Sequence, residues 1–148
     1  MITQTHLCSG SRAHKPLAWV AQFLLTTFIC LPFLVSGFSK LFNPAAAALE
    51  VAGLDLPYPA LLAWMTIAVQ LLGSFAVVFG SRSMAISGSL ALACFTVFAT
   101  VLAHAFWNAA PVLRQEQTNA FIEHLSIISA LLLLAYLKWR DGADNNLI

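Results

Sequence analysis

Charged side chains are scarce in this chain: Asp, Glu, Lys and Arg make up 9% of its 148 residues, against about 25% in an average soluble domain. Seven basic and six acidic residues give a net charge of +1, which excludes the basic surface that nucleic-acid binding needs. Hydrophobic residues make up 60% of the chain, more than one small core can shield from water. A soluble enzyme and a disordered protein are therefore both disfavoured. The composition predicts an integral membrane protein whose main surroundings are the lipid bilayer.

Cysteine is also rare, and its three copies, Cys8, Cys30 and Cys94, are far apart in the sequence. None belongs to a C-x-x-C pair or to a spacing typical of metal ligands. Cys30 and Cys94 lie inside apolar runs, where a free thiol behaves as a small hydrophobic side chain. The sequence therefore predicts no metal site and no cysteine-based catalysis.

Four stretches of the chain are almost free of charge, and each is long enough to cross a hydrocarbon core of about 30 Å at about 1.5 Å per residue. They are Leu17–Phe38, Ala60–Gly80, Ala85–Ala103 and Phe121–Trp139. A tilted barrel strand needs only about half that length. The sequence therefore predicts an all-α fold with four transmembrane helices over residues 17–139, between an N-terminal segment 1–16 and a C-terminal tail 140–148.

The first stretch has an alternative interpretation as a cleaved signal peptide, because Gly37, Phe38 and Ser39 have the small-x-small form of a cleavage site. Its apolar length exceeds the roughly 7–15 residues of a signal-peptide core, and we therefore keep it as a helix.

Basic residues are concentrated on one side of the predicted membrane. That side carries Arg12, Lys15, Arg82, Lys138 and Arg140. The opposite side has only Lys40 and Arg114. Because basic residues favour the cytoplasmic face, both termini are expected in the cytoplasm, with the loops after Phe38 and Trp107 facing outward.

The two outer loops have different predicted structures. In the first, Asn43 is a suitable N-cap and Pro44 a suitable first helical residue, so Ala45–Ala52 is expected to form a short surface helix that Gly53 ends. The second runs from Asn108 through Pro111 to Asn119, which is expected to cap the fourth transmembrane helix.

Polar residues inside a membrane are costly and point to function. Gln70 lies near the middle of the second stretch. Its amide is expected to bond a neighbouring helix, and a contact with a ligand or cofactor is the alternative.

A second group of polar and aromatic residues lies at the outer ends of the helices, where a bundle would bring them into one ligand-binding layer. The layer consists of Lys40, His104, Trp107, Asn108, Asn119, Glu123 and His124. Glu123 is the expected charge partner of Lys40, and His104 and Asn108, four residues apart, are expected to share a helix face. The alternative is that these are ordinary interfacial residues, since a lysine at a helix end commonly extends to the headgroups.

Several segments in this order resemble the DoxX family. They are Gly37–Pro44, Gly53–Leu54, Leu56–Pro59, Gln70–Gly73, Phe79–Gly80 with Arg82, His104–Asn108, Asn119–Leu125 and Ala130–Ala135. The resemblance covers Leu17 to Tyr136. The chain departs from the family at Gln70, where many relatives are expected to carry Glu, and at Ser129, which replaces part of a glycine-rich turn.

This resemblance implies a four-helix, multi-pass protein of the bacterial inner membrane. Some members of the family are linked to thiosulfate:quinone oxidoreduction or to membrane complexes that handle oxidative and thiol stress, and distant eukaryotic relatives act as cargo receptors. The family's polar positions correspond here to Lys40, Gln70, His104, Trp107, Asn108, Asn119 and His124.

Three functions stay open at this point. The favoured one is a non-catalytic membrane subunit or accessory protein of a redox or stress-response system, with a membrane-bound or soluble oxidoreductase as its partner or with a second copy of itself. The second is a quinone-linked oxidoreductase component, in which His104 or His124 donates a hydrogen bond to a quinone carbonyl and Trp107 stacks on the ring. The third is a small transporter, against which stands the lack of an inverted repeat.

Two kinds of chemistry are disfavoured by the same residues. Haem bound by two histidines is not expected, because His104 and His124 lie at the rim of the predicted bundle rather than inside it. No motif supplies a nucleophile with a base and an orienting third group, and whether the protein is an enzyme stays open.

Overall fold

The computed structural model describes residues 14–145 of the chain, and within that range the structure is helical with no β-strand. The helices are α1 (His14–Phe42), α2 (Pro44–Ala52), α3 (Pro59–Phe79), α4 (Arg82–Ala103) and α5 (Pro111–Asn145), with one 3-10 turn at Phe106–Asn108. Of these, α1, α3, α4 and α5 are long and apolar enough to cross a membrane. The prediction of an all-α fold with four membrane-spanning helices is confirmed.

The spanning helices pack in the order α1, α3, α4, α5. α4 lies between α3 and α5, α3 lies between α1 and α4, and α1 touches α5 only sparsely. The buried core is formed by apolar side chains from all four helices, including Cys30, Phe33, Val77, Leu92 and Leu131. The boundary between α1 and α5 is therefore the least tightly packed side of the bundle.

Glycine brings α3 and α4 close together at the centre of the bundle. A Cβ atom at Gly73 would lie 2.9 Å from Leu92 Cδ2, and one at Gly88 would lie 2.9 Å from the carbonyl oxygen of Gly73. Small residues allow this close approach in membrane helices, where packing and interhelical contacts replace the hydrophobic effect.

The short helix of the first loop is present and begins as predicted. Asn43 Oδ1 accepts a hydrogen bond from the backbone N–H of Ala46 at 3.2 Å, Pro44 is the first helical residue, and Gly53 follows the last one. α2 packs mainly against α3. We refer to the end of the bundle that carries α2 as the α2 end.

The start of α5 corrects one prediction. The helix begins at Pro111, ten residues before Phe121, so Asn119 lies inside the helix and does not cap it. Proline fits the first turn of a helix, and residues 112–118 contain neither Gly nor Pro to interrupt it. Hydropathy marks only the part of a helix that faces lipid, and the polar residues Arg114–Gln117 continue α5 beyond it.

The other helix ends also extend past the apolar stretches. α1 continues through Lys40 to Phe42, and α5 continues through Arg140 to Asn145. With 35 residues, α5 is about 52 Å long, well over the hydrocarbon thickness of about 30 Å. Residues 1–13, with Cys8 and Arg12, the side chain of Lys15, and residues 146–148 lie outside the described part of the structure.

Candidate ligand site at the α2 end

A cavity of about 770 Å³ opens among the helices at the α2 end. We call it the α2-side cavity. Its walls are mostly apolar and come from α1, α2, α3, α4 and α5. The polar side chains that line it are Ser36, Lys40, Glu50, Thr66, Gln70, Thr96, His104 and His124. Four of the residues that the sequence singled out are thus brought to one cavity: Lys40, Gln70, His104 and His124.

Gln70 is a buried polar residue of the cavity wall, and one of its hydrogen-bonding atoms is not satisfied by any described residue. It is 6% exposed, and its Nε2 donates to Ser36 Oγ of α1 at 3.2 Å. The expected bond to a neighbouring helix is therefore confirmed. Its Oε1 is buried and has no hydrogen-bond partner among the described residues. A buried acceptor left in that state costs about 1–3 kcal/mol, which makes it a feature that requires an explanation.

The two histidines of the layer contact each other at the ends of α4 and α5. Their ring centroids are 4.7 Å apart in an edge-to-face arrangement. His124 Nδ1 lies 2.9 Å from Thr100 Oγ1, and His104 Nδ1 lies 2.9 Å from Gln117 Oε1. Hydrogen bonds at Nδ1 fix both ring orientations and set the chemistry of the remaining nitrogen.

This arrangement does not suit a haem iron. Axial ligands bind from opposite faces of the porphyrin, and two imidazole rings in direct contact leave no space for a macrocycle between them. Among residues 14–145, no group of three or more His, Cys, Asp or Glu side chains is placed to hold a metal ion.

Lys40 forms an ion pair with Glu50, which corrects the prediction that Glu123 is its partner. α2 turns back over the end of α1 and carries Glu50 to the Lys40 ammonium, whereas Glu123 lies exposed on α5. The Lys40 side chain is 21% exposed and that of Glu50 is 61% exposed. The pair therefore lies at the mouth of the cavity, and Lys40 does not extend freely toward the headgroups.

The predicted pairing of His104 with Asn108 is also wrong. α4 ends at Ala103, His104 follows it with a non-helical backbone, and Asn108 belongs to the separate 3-10 turn. A spacing of four residues places two side chains on one face only inside a continuous helix. Asn108 is exposed and does not line the cavity.

Three further candidates lie away from the cavity. Trp107 packs edge-to-face against Phe106 and Phe121, with centroids 5.2 and 6.2 Å away. Asn119 accepts a hydrogen bond from Gln115 Nε2 at 3.0 Å on the exposed face of α5. Glu123 is exposed on the same helix. The predicted layer is therefore divided between the cavity and the surface of the bundle.

Sequence reasoning did not single out Glu50 or Thr100, which both help to build the site. Glu50 lies ten residues after Lys40, and the signal for it was the Asn43 cap, which makes the chain turn back at that point. Thr100 lies buried on α4, where its hydroxyl holds the ring of His124. A threonine inside an apolar helix gives no sign in the sequence of whether it packs between helices or positions a histidine.

The DoxX family model matches residues 21–105 of the chain. The match covers more than half of the sequence and includes Lys40, Gln70 and His104. No curated protein and no solved structure matches the chain.

Proposed function

We propose that this chain, which belongs to the DoxX family, is a non-catalytic membrane subunit or accessory protein of a redox or stress-response system. In this proposal it works with a membrane-bound or soluble oxidoreductase and binds a small amphipathic ligand in the α2-side cavity. The observation that carries the proposal is that Gln70 lines the cavity and that its buried Oε1 has no hydrogen-bond partner among the residues that the structure describes.

The size and lining of the cavity support ligand binding. Small-molecule sites have volumes of about 300–1,000 Å³, with apolar walls and a few polar groups that orient the ligand. The α2-side cavity has a volume of about 770 Å³, and its polar groups lie on several helices. Retention of Gln70 for stability alone is a weak explanation, because an unpartnered buried amide oxygen destabilises the folded protein.

The hydrogen bonds of the two histidines support a binding role rather than a catalytic one. His124 Nδ1 is held by a threonine and His104 Nδ1 by a glutamine amide. A histidine that acts as a general base in a triad is oriented by a carboxylate and faces a nucleophile. Here the imidazoles are positioned as fixed polar groups in an apolar wall.

For the membrane orientation, we propose that the α2 end faces out of the cytoplasm of a bacterial inner membrane. Arg82 bonds the backbone of Lys138 and Trp139, so Arg82, Lys138 and Arg140 lie together at the end opposite α2. Lys40 and Arg114 belong to the α2 end. This distribution supports cytoplasmic termini by the positive-inside rule.

The ligand proposal is tested by mass spectrometry of lipid-soluble molecules extracted from the purified full chain. The wild type is compared with Gln70→Leu and with the control Gln22→Leu, since Gln22 lies on α1 outside this cavity and is exposed. We expect one molecule to be enriched over bulk lipid in the wild type and the control and to be lost from Gln70→Leu. The same composition in all three preparations would refute the proposal.

The accessory role is tested in the native host by deletion of the gene and complementation. The deletion strain is expected to be sensitive to thiol oxidants, and Gln22→Leu but not Gln70→Leu is expected to restore resistance. Equal complementation by both variants would show that the cellular role does not depend on Gln70 and the cavity.

A quinone-linked oxidoreductase component is the second candidate, favoured by the two imidazoles in the wall of an apolar cavity. Its test is the reduction of a decyl-substituted quinone by thiosulfate in the presence of the purified chain. The loss of quinone absorbance measures the reaction. Turnover that disappears in His124→Phe would support this candidate. Quinone binding without turnover would support the accessory role.

A further inference from the structure

We propose that the end of the bundle opposite α2 binds the phosphate group of one anionic phospholipid. The site is a pocket of about 160 Å³ formed between α1, α3 and α5, which we call the Lys138 pocket. It shares no residue with the α2-side cavity, and the proposal does not depend on the function proposed above.

The polar side chains of the Lys138 pocket can all donate hydrogen bonds. They are the indole of Trp19, the amide of Gln22, the hydroxyl of Thr26 and the ammonium of Lys138. No carboxylate of a described residue lines the pocket. A phosphodiester has acceptor oxygens, one negative charge and no proton to donate, so it matches this set of groups.

The size of the pocket brings these groups to one space. A volume of about 160 Å³ is that of about five water molecules at about 30 Å³ each, which suits one phosphate group and not a large ligand. Gln22 is exposed, and its amide accepts as well as donates. The selectivity for an anion therefore depends on Lys138 and Thr26.

Lys138 supplies the positive charge of the pocket. Its side chain is half-buried, and it forms no ion pair among the described residues, where the salt bridge found is that of Lys40 at the α2 end. Its backbone is anchored, because Arg82 Nε donates to the carbonyl oxygen of Lys138 at 2.7 Å. Lysine is a common ligand of phosphate in proteins, and here it is held at the wall of a pocket that can receive one.

Thr26 supplies a donor at the buried side of the pocket. The residue is 6% exposed. The neighbouring Thr27 donates its hydroxyl to the carbonyl oxygen of Phe23 at 2.8 Å, whereas the Thr26 hydroxyl makes no such bond within the described part of the chain. An oxygen of a bound phosphate can accept this hydrogen bond and also contact the Lys138 ammonium.

The position of Trp19 places the pocket at the depth of a lipid headgroup. Trp19 is 67% exposed, and exposed tryptophans of membrane proteins lie at the interface between headgroups and hydrocarbon. Thr26 is seven residues further along α1, about 10 Å toward the centre of the membrane. The pocket therefore opens at the headgroups and extends to the start of the acyl chains.

A strip of aromatic side chains leads from the pocket over the surface of α1 and α3. The ring centroids of Trp19 and Phe23 are 5.8 Å apart, those of Phe23 and Phe79 are 6.0 Å apart, and Phe75 follows at 6.0 Å from Phe79. Phe75 and Phe79 are both exposed. This strip offers an acyl chain a continuous apolar surface beside its own phosphate. A free phosphate ion gains nothing from it, and we therefore assign the site to a lipid.

The charges at this end favour an anionic lipid over a zwitterionic one. Arg82, Lys138 and Arg140 lie here, and Asp141 is the acidic side chain described in the same region. Basic pockets between membrane helices are typical sites for anionic headgroups. The ammonium of phosphatidylethanolamine would lie near Lys138 without a carboxylate of the pocket to bind it.

The test measures lipid binding to the purified full chain by native mass spectrometry. Phosphatidylglycerol and phosphatidylethanolamine with identical acyl chains are offered in equal amounts. We expect phosphatidylglycerol to be bound about fivefold more, the ratio that corresponds to the effect of one basic side chain near a bilayer surface. Glycerol 3-phosphate, which has the phosphate but no acyl chain, should not displace it. Displacement by glycerol 3-phosphate would assign the pocket to a free phosphate ester and overturn the lipid.

Three variants locate the preference. Lys138→Gln and Thr26→Val should each lower the ratio of the two lipids toward one, because the first removes the cation and the second removes a donor with little change in size. Arg140→Gln is the matched control, since it removes one positive charge from an exposed residue of the same helix outside the pocket. It should keep the wild-type ratio. Both lipids are compared on one folded protein, so a loss of stability does not imitate the expected result.

A ratio near one in the wild type, or a preference that persists in Lys138→Gln, would overturn the proposal. An equal loss in Arg140→Gln would also overturn it, because the preference would then come from the general surface charge. The two sites are distinguished by their variants: the molecule of the α2-side cavity is lost with Gln70→Leu, and the anionic lipid with Lys138→Gln.

Discussion

The guanidinium of Arg82 lies directly on the backbone of Gly142, where a Cβ atom would overlap its Nη1. Arg82 begins α4, and Gly142 lies in the last turns of α5. Nε and Nη2 of the arginine donate to the carbonyl oxygens of Lys138 and Trp139, each at 2.7 Å. The glycine thus leaves the space through which Arg82 joins two helix ends.

Gly142→Ala is therefore expected to displace Arg82 and to lower the free energy of unfolding by about 1–2 kcal/mol, because charge-assisted hydrogen bonds are lost and alanine's higher helix propensity offsets only part of that loss. Thermal unfolding of the purified chain measures the change. Gly53→Ala is the matched control, since its Cβ would meet the nearest atom at an ordinary 3.4 Å. Equal stability of Gly142→Ala and the wild type would contradict the prediction.

Gly88→Ala is expected to destabilise the α3–α4 contact by about 1–3 kcal/mol, as overpacking does in a filled core. The new Cβ would lie 2.9 Å from the backbone oxygen of Gly73 and 3.0 Å from Ala76 Cβ, and backbone atoms cannot rotate away. Ala91→Leu on the exposed face of α4 provides the control and should keep wild-type stability. An unfolding temperature that falls no further for Gly88→Ala than for Ala91→Leu would argue against this close packing.

The pairing of Lys40 is testable by double-mutant cycles. Lys40→Ala and Glu50→Ala should show a coupling free energy of up to about 1 kcal/mol, the usual range for a partly exposed ion pair. Lys40→Ala and Glu123→Ala should be additive, because Glu123 has no contact with the lysine. Coupling to Glu123 and not to Glu50 would restore the partner that sequence reasoning favoured.

Single-cysteine accessibility tests the orientation of the helices in the membrane. Cysteine introduced at Glu50 or Gln117 should react with an impermeant reagent in intact cells, whereas cysteine at Ser11 or Asn145 should react only after the cells are lysed. The native Cys8, Cys30 and Cys94 are replaced first. Labelling at Asn145 in intact cells would overturn the orientation inferred from the basic residues.

The number and placement of the spanning helices were predictable because apolar length is a direct consequence of bilayer thickness. The ends of the helices were less predictable. α5 begins at Pro111 and not near Asn119, because a helix continues through polar residues until the backbone meets a breaker or a cap, and lipid contact does not decide that point.

The α2-side cavity was predictable only in part. Lys40, His104 and His124 share a membrane depth that the helix order reveals, and the structure places them around one cavity. The partner of Lys40 depends on the path of α2, and the separation of His104 from Asn108 depends on where α4 stops. The first depends on tertiary structure and the second on local backbone geometry, and residue spacing alone determines neither.

The sparse contact between α1 and α5 gives the proposed function a consequence for how its ligand would be supplied. A tailed molecule that entered between these two helices would exchange laterally between the bilayer and the cavity, without a passage through water. Its occupancy would then depend on its mole fraction in the membrane, not on its aqueous concentration. A weak site supplied in this way would be filled whenever the membrane pool of the ligand is abundant, and it would empty as that pool is consumed.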